Sequence, residues 1–428
     1  MQAISQSSTA TGSTSAGTGD YDCGGKSAQL PRLLYLGEVP VESSYHGSAL
    51  LYRLLHSYPA TRLRIFERLG RSSILERRLP GVPYQNVPAS WTIGGRFIRT
   101  RLPILYWAVW TMLSRLWALR ARKLLGGFQP EAILSVHEGF LWLGAYFLAR
   151  HLKVPLHLIF HDDWFRDMPQ DSWIRRHLEK RFGRVYRSAA SRFCVSPYMQ
   201  ELFRQRYGSP AHVLYPSRSA EMKVHSAPPV RFDTSYRSFT VAYGGSPIDG
   251  GYLRALKLLA EVLLSRGGRL LLFGPFSRED TAPRGLDLPN VKCGGLLNST
   301  ELVTRFREEA DALFVPMSFD PAERANMTVS FPSKLADYTA AGLPLIIFGP
   351  PYCSAVKWAR ENRDCCELVD QCDPAALVAA IARLESDDYY RHELGVNALR
   401  IGEKFFAHSA AEKLFFSAIE IDRFLVKE

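Results

Sequence analysis

Along the chain, short apolar runs alternate with longer amphipathic stretches, the pattern produced by parallel sheets covered by helices. In the first half, RLLYLGE (32–38) reads as a buried strand, followed by a loop and a helix near 47–57. AILSVHE (132–138) and LHLIFHDD (156–163) read as two more strands, separated by an apolar helix near 140–151. RFCVSP (192–197) adds a strand whose Ser-Pro opens a helix, and HVLYPS (212–217) is the last strand of this half.

Between 218 and 238 the pattern lapses into RSAEMKVHSAPPVRFDTSYRS, with adjacent prolines and no period, which reads as a linker. A second series then starts afresh with FTVAYGG (239–245), RLLLFGP (269–275), VKCGG (291–295), ALFVPM (312–317) and LPLIIFGP (343–350). A chain of 428 residues exceeds the size at which one core stops growing. The prediction is therefore α/β, with two Rossmann-like, doubly wound domains facing across a cleft, at 30–217 and 238–395. Helical residues 396–428 are expected to return to the first domain. In such sheets ligands bind beyond the carboxyl ends of the strands.

The first 29 residues are rich in Ser, Thr, Gly and Ala, without the apolar run of a signal peptide, and read as a disordered leader. Seven cysteines, an odd number with no Cys-x-x-Cys pair, suggest neither a disulfide framework nor a zinc site and favour a reducing, cytoplasmic compartment. The net charge of +11 suits nucleic acid, an anionic membrane or an anionic substrate, and charge alone does not choose.

The most informative segment is TVSFPSKLADYTAAGLPLIIFGP, 328–350. Pro332 suits the first turn of a helix, Gly342 suits its end, and LPLIIFG follows as a buried strand. Ser333, Lys334 and Asp337 then crowd the first turns, where free amide hydrogens and the positive end of the helix attract phosphate. An ionised Asp337 can accept bonds from two ribose hydroxyls. An ordinary capped helix with a surface Lys334–Asp337 pair is the alternative. FPSKLADYTAAGLPLIIFGPP resembles the donor-binding segment of GT-B-fold glycosyltransferases, particularly the family-4-like, retaining branch. ADALFVPM, KCGGLL, RFCVSPYMQELFRQRYG and the HDD strand end follow the same family's order, so that the resemblance covers roughly 30–415.

The resemblance implies transfer of a sugar from a nucleotide-sugar donor to a sugar or lipid-linked oligosaccharide, as in polysaccharide biosynthesis. It implies no metal and no resident cofactor. Asp337 takes the position of the second acid of the family's E-x7-E pattern, with ribose binding as its role. Two departures stand out. Val329 occupies the position of the first glutamate, and the loop YGGSPIDGG (243–251) lacks the usual Arg and Lys for the diphosphate. Glycines let backbone approach phosphate closely, so Gly244, Gly245 and Ser246, with Gly274, are expected at the donor, and Lys334 is the best cation. A plain strand-to-helix turn is the other reading of that loop.

In the first half, His161 and Asp162 end a strand where an imidazole can bond a sugar hydroxyl and an acid can take a proton. The resemblance places a substrate-binding or catalytic histidine there; a helix-capping role is the alternative. His137 ends the preceding strand in the same way, and its expected role is acceptor binding or structural. Glu42, Ser44, His46 and Gly47 lie in a loop resembling the one over the acceptor. The Walker, G-x-S-x-G, H-E-x-x-H and G-x-G-x-x-G patterns are absent after the leading strands.

Residues 91–125 hold seven Arg or Lys, no acid, and Trp91, Trp107, Trp110 and Trp117. This suits either contact with an anionic membrane, with the tryptophans at headgroup level and the protein on the inner face of the plasma membrane, or a helix whose tryptophans face the core. No nucleic-acid partner is expected. Two rival functions remain open: a sugar-nucleotide epimerase on the same fold, and a non-catalytic nucleotide-sugar-binding or scaffold subunit.

Overall fold

The computed structural model describes residues 30–43, 46–70, 72–88, 103–163, 165, 173–230, 238–246 and 250–421. Residues 1–29, Ser44 and the whole of 91–102 lie outside them.

The first half contributes β1 (Leu33–Gly37), α1 (His46–Leu55), β2 (Leu63–Arg68), β3 (Tyr84–Val87), α2 (Pro103–Leu124), β4 (Ala132–Val136) and α3 (Leu141–Leu152). It continues with β5 (Leu156–Phe160), α4 (Trp173–Ser188), β6 (Ser191–Cys194), α5 (Pro197–Tyr207) and β7 (His212–Val213). Its seven strands are ordered β3-β2-β1-β4-β5-β6-β7, and every pairing is parallel.

The second half runs β8 (Thr240–Gly244), α6 (Gly250–Ser265), β9 (Arg269–Phe273), α7 (Arg278–Thr281), β10 (Val291–Gly295), α8 (Ser299–Glu309), β11 (Ala312–Pro316), α9 (Arg324–Met327) and α10 (Lys334–Ala340). Then come β12 (Leu345–Phe348), α11 (Ser354–Glu361), β13 (Cys366–Val369), α12 (Pro374–Ser386), α13 (Asp388–Phe406) and α14 (His408–Ile421). Its strands order β10-β9-β8-β11-β12-β13, again all parallel. Two doubly wound sheets are thus the architecture the sequence predicts. In each, the strand order reverses beside the leading strand, which opens a crevice at the carboxyl ends of β1 and β4 and of β8 and β11.

The strands form where continuous apolar runs are covered on both faces: β1, β4, β5, β8 and β11 are buried at every position. Helix ends follow local chemistry. Ser196 accepts from Met199 N ahead of Pro197, and Gly208 closes α5 in the left-handed region. Asn298 and Glu301 form a capping box on α8. No residue within α3's own first turn caps it; instead Glu38, just past β1, accepts from Phe140 N at 2.6 Å and Leu141 N at 3.3 Å and pairs with Arg68 at 2.7 Å. Gly139 (φ +59°) leaves room for that carboxylate, which a side chain there would overlap.

Of the two readings of this stretch, the described tryptophans of α2 follow the core-facing one. Trp110 stacks on Phe140 with centroids 3.8 Å apart and planes 7° apart, and Trp117 is buried beside it. Both face the core, because covering the sheet removes far more apolar area from water than an interface would. Trp91 and the side chain of Trp107 lie outside the described residues. Among the described residues, no helix is long and apolar enough to cross a membrane.

Long-range contacts join the halves. Arg218 is buried and donates to Ala336 O (3.2 Å) and Thr339 Oγ1 (3.3 Å), and pairs with Glu403. From α14, Phe415 packs on Phe193 with centroids 5.4 Å apart, in the same core as Leu33 and Tyr35, while Phe416 meets Tyr58 edge-on.

Candidate functional site

Residues that follow β5, β8 and β9 meet the first turns of α1, α8 and α10 around one cavity of about 370 Å³. That volume lies within the range of small-ligand sites. Of the residues singled out in the sequence, Gly47, His161, Asp162, Gly244, Gly245, Ser246, Gly274, Ser333, Lys334 and Asp337 all line it.

The β8 and β9 ends approach each other so closely that a Cβ on Gly274 (φ +138°) would collide with the carbonyl oxygen of Gly245. Only glycine permits this backbone-to-backbone approach. Tyr338, buried in α10, holds the end of β8: its hydroxyl accepts from Gly244 N at 2.6 Å and donates to Gly244 O at 3.1 Å. The Lys334 ammonium rests over the rings of Tyr243 and Tyr252 at 5.0 and 5.6 Å, beside the Gly245 turn. A desolvated ammonium over ring faces is stabilised by the ring quadrupoles. α10 itself begins at Lys334 with Ser333 as its cap, so Pro332 precedes the helix and does not form its first turn.

Asp337 is largely buried, with its Oδ2 3.0 Å from Arg53 and 3.3 Å from Ser299 Oγ. Its Oδ1 is buried without a hydrogen-bond partner among the described residues. Across the cavity, burial depresses the pKa of His161 to about 4 against the opposing pull of Asp162, so the imidazole is neutral at pH 7. Its Nε2 also lacks a partner among the described residues. Asp162 accepts from Ser330 Oγ at 2.5 Å across the cleft, and Ser330 also contacts Asn326. Asp163 turns away into an ion pair with Arg206 at 2.6 Å. Val329, where the resembled pattern has its first acid, is fully buried, and its carbonyl accepts from Ser196 Oγ at 3.1 Å.

Two candidates do not reach the cavity. Glu42 is buried and accepts from Ile74 N at 2.5 Å, so its carboxylate ties the loop after β1 to the segment between β2 and β3. His137 sits among Trp142, Phe160 and Phe182, with ring centroids 4.8, 5.4 and 4.2 Å away, and burial lowers its pKa to about 3. That aromatic cage takes it out of the cleft. His46 begins α1, and its side chain is outside the described residues. Conversely, Arg53, Ser299, Tyr252, Asn326 and Ser330 line the cavity without having been singled out. Among the described residues no group of three or more His, Cys, Asp or Glu is placed to hold a metal ion.

Residues 67–218 match the model of Glycosyltransferase Family 4. In structure the chain is similar to Anabaena HepE, solved with UDP and glucose, at a TM-score of 0.63 and 14% identity, covering 93% of this chain and 100% of that one. It is similar to sucrose-phosphate synthase from Thermosynechococcus elongatus (TM-score 0.64, 16% identity, 92% of this chain and 98% of that one). It is also similar to the apo lipopolysaccharide outer core galactosyltransferase WaaB (TM-score 0.57, 16% identity, 90% and 98%). No curated protein matches it in sequence. The two-sheet architecture is thus that of the GT-B fold, and residues 67–218 are similar in sequence to Glycosyltransferase Family 4.

Proposed function

We propose that the cleft takes a nucleotide sugar and transfers its sugar to a sugar or lipid-linked oligosaccharide acceptor in polysaccharide assembly. One observation carries this reading: a carboxylate, an ammonium, two glycine turns and a neutral imidazole converge on one cavity between the sheets. In it, Asp337 receives the ribose, while Lys334, the Gly244–Ser246 turn, Gly274 and the amide of Ser333 hold the diphosphate. Close backbone and the full positive charge of Lys334 suit a pyrophosphate where the loop has no arginine. The sugar then points at His161, whose neutral ring bonds a hydroxyl, with Asp162 beside it and the acceptor entering past Gly47. The first half serves the acceptor and the second the donor. HepE solved with UDP-glucose and WaaB as a lipopolysaccharide galactosyltransferase support this substrate class.

The resemblance to the family-4-like motif favours retention of configuration, with the leaving diphosphate helping to deprotonate the acceptor, a route that needs no separate base. The protein works in the cytoplasm. There the exposed Met112, Leu116 and Leu119 of α2, flanked by Arg115, Arg120, Arg122 and Lys123, rest on the anionic inner face of the membrane.

Calorimetric titration of the full chain with UDP-, GDP- and ADP-sugars is the test. Binding of one of them, with nucleoside diphosphate released only when an acceptor glycan is added, is the expected result. Turnover of donor without acceptor identifies an epimerase instead, and no binding across the panel leaves a scaffold.

A further inference from the structure

Arg53 belongs to α1, in the half opposite Asp337. Its guanidinium donates to Ser217 O at 2.5 Å, to Ser299 Oγ at 2.6 Å and to Asp337 Oδ2 at 3.0 Å. The Arg53 and Asp337 side chains are only 13% and 14% exposed, so the pair is shielded from solvent. Ser299 Oγ adds a second donor to Oδ2 at 3.3 Å. The carboxylate is therefore asymmetric: Oδ2 is engaged twice, whereas Oδ1 is buried at the cavity without a hydrogen-bond partner among the described residues. The planar guanidinium fork reaches all three acceptors at once, a geometry that the compact ammonium of a lysine does not reproduce.

We propose that Arg53 is a positioning residue for the donor's ribose: from across the cleft it fixes Asp337 by one oxygen and presents the other to a ribose hydroxyl. This rests on the reading of Asp337 as the ribose acceptor. The tether to Ser217, where the chain leaves β7 for the second half, sets the distance between α1 and α10 at which the carboxylate is held. Ribose recognition then depends on α1 and α10 lying as they do here, because moving α1 away strips Asp337 of its cation.

The experiment uses the full chain with UDP, GDP and ADP. The diphosphate that binds is compared calorimetrically with its 2′-deoxy and 3′-deoxy forms, in wild type, Arg53→Met and Arg53→Lys. Wild type is expected to disfavour one deoxy form by about tenfold, the value of a hydrogen bond to a charged group. Arg53→Met loses that discrimination, and Arg53→Lys recovers part of it. An Arg53→Met protein that weakens the ribo and deoxy forms equally, as a direct diphosphate contact would, or that discriminates as wild type does, overturns the proposal. If Arg53→Met does not fold, Ser299→Ala decides: reduced discrimination supports the proposal and unchanged discrimination overturns it. Failure of the wild type to bind any of the three sinks the nucleotide-sugar reading itself, and this inference with it.

Discussion

A methyl group built on Gly47 would stand 2.6 Å from His161 Nδ1 and 2.9 Å from Cε1, closer than real Cβ contacts come. Gly47→Ala therefore pushes the imidazole out of its pocket without touching the strands. It should lower kcat/KM by roughly 100-fold, since small misplacements at a reacting centre are costly, while the melting temperature stays close to wild type. Normal turnover in Gly47→Ala would remove His161 from the chemistry. The same geometry explains what single residues in the sequence could and could not reveal. His137 and His161 each follow a buried strand directly and look equivalent on paper. One is enclosed by Trp142, Phe160 and Phe182, whereas the other has a glycine for a neighbour. Arg53 carries no local signal at all, because its three partners lie 164, 246 and 284 residues away in sequence. Lys334, Asp337 and the glycine turns were readable because Pro, Gly and apolar runs punctuate their segments locally.

At the scale of elements, α3 depends on a carboxylate from another element. Glu38→Ala removes its cap and leaves Arg68 unpaired, which should cost ~2 kcal/mol of unfolding free energy in a denaturant titration. A loss near zero would mean that water caps the helix equally well. The strands missing from the sequence reading share a physical cause. LRIFER in β2 carries Arg64, Glu67 and Arg68, and Glu67 is buried only because Val41 N, Ser73 N and Ser73 Oγ satisfy it. β3 is an edge strand with two exposed positions, and β13, at the other sheet's edge, has Glu367 within its four residues. Polar side chains whose partners come from distant loops hide a strand from any periodicity. The interior strands β1, β4, β5, β8, β9, β11 and β12 are apolar enough to be read directly.

For the molecule as a whole, acid is the weak side. Burial depresses His137 and His157 to about 3 and His161 to about 4, below the ordinary 6.5. At these three sites the unfolded chain therefore binds more protons in this range, so their contribution to stability is full above pH 6.5 and is lost as pH falls toward 4 and 3. Unfolding free energy measured at stepwise lower pH should decline from 6.5 downward, and His137→Phe should flatten part of that slope; an unchanged slope would falsify the assignment of His137. A second prediction concerns the outer face of α2. Wild type should sediment with phosphatidylglycerol vesicles at low salt, and a Met112→Ser, Leu116→Ser, Leu119→Ser triple variant should stay in the supernatant. Equal sedimentation of the two would free α2 of that role. Two doubly wound sheets were legible because their central strands alternate with amphipathic helices over the whole length, while the way the halves close on each other rests on long-range pairs such as Arg218 with Thr339. Phe415, finally, gives the fold a timing. On the ribosome the first sheet emerges some 200 residues before the ring that fills its core, so nascent chains carry an open apolar seam between Tyr58 and Phe193 until α14 has been made. That seam is a natural place for a chaperone to hold the unfinished protein, and a premature stop codon ahead of residue 408 would leave it open for good.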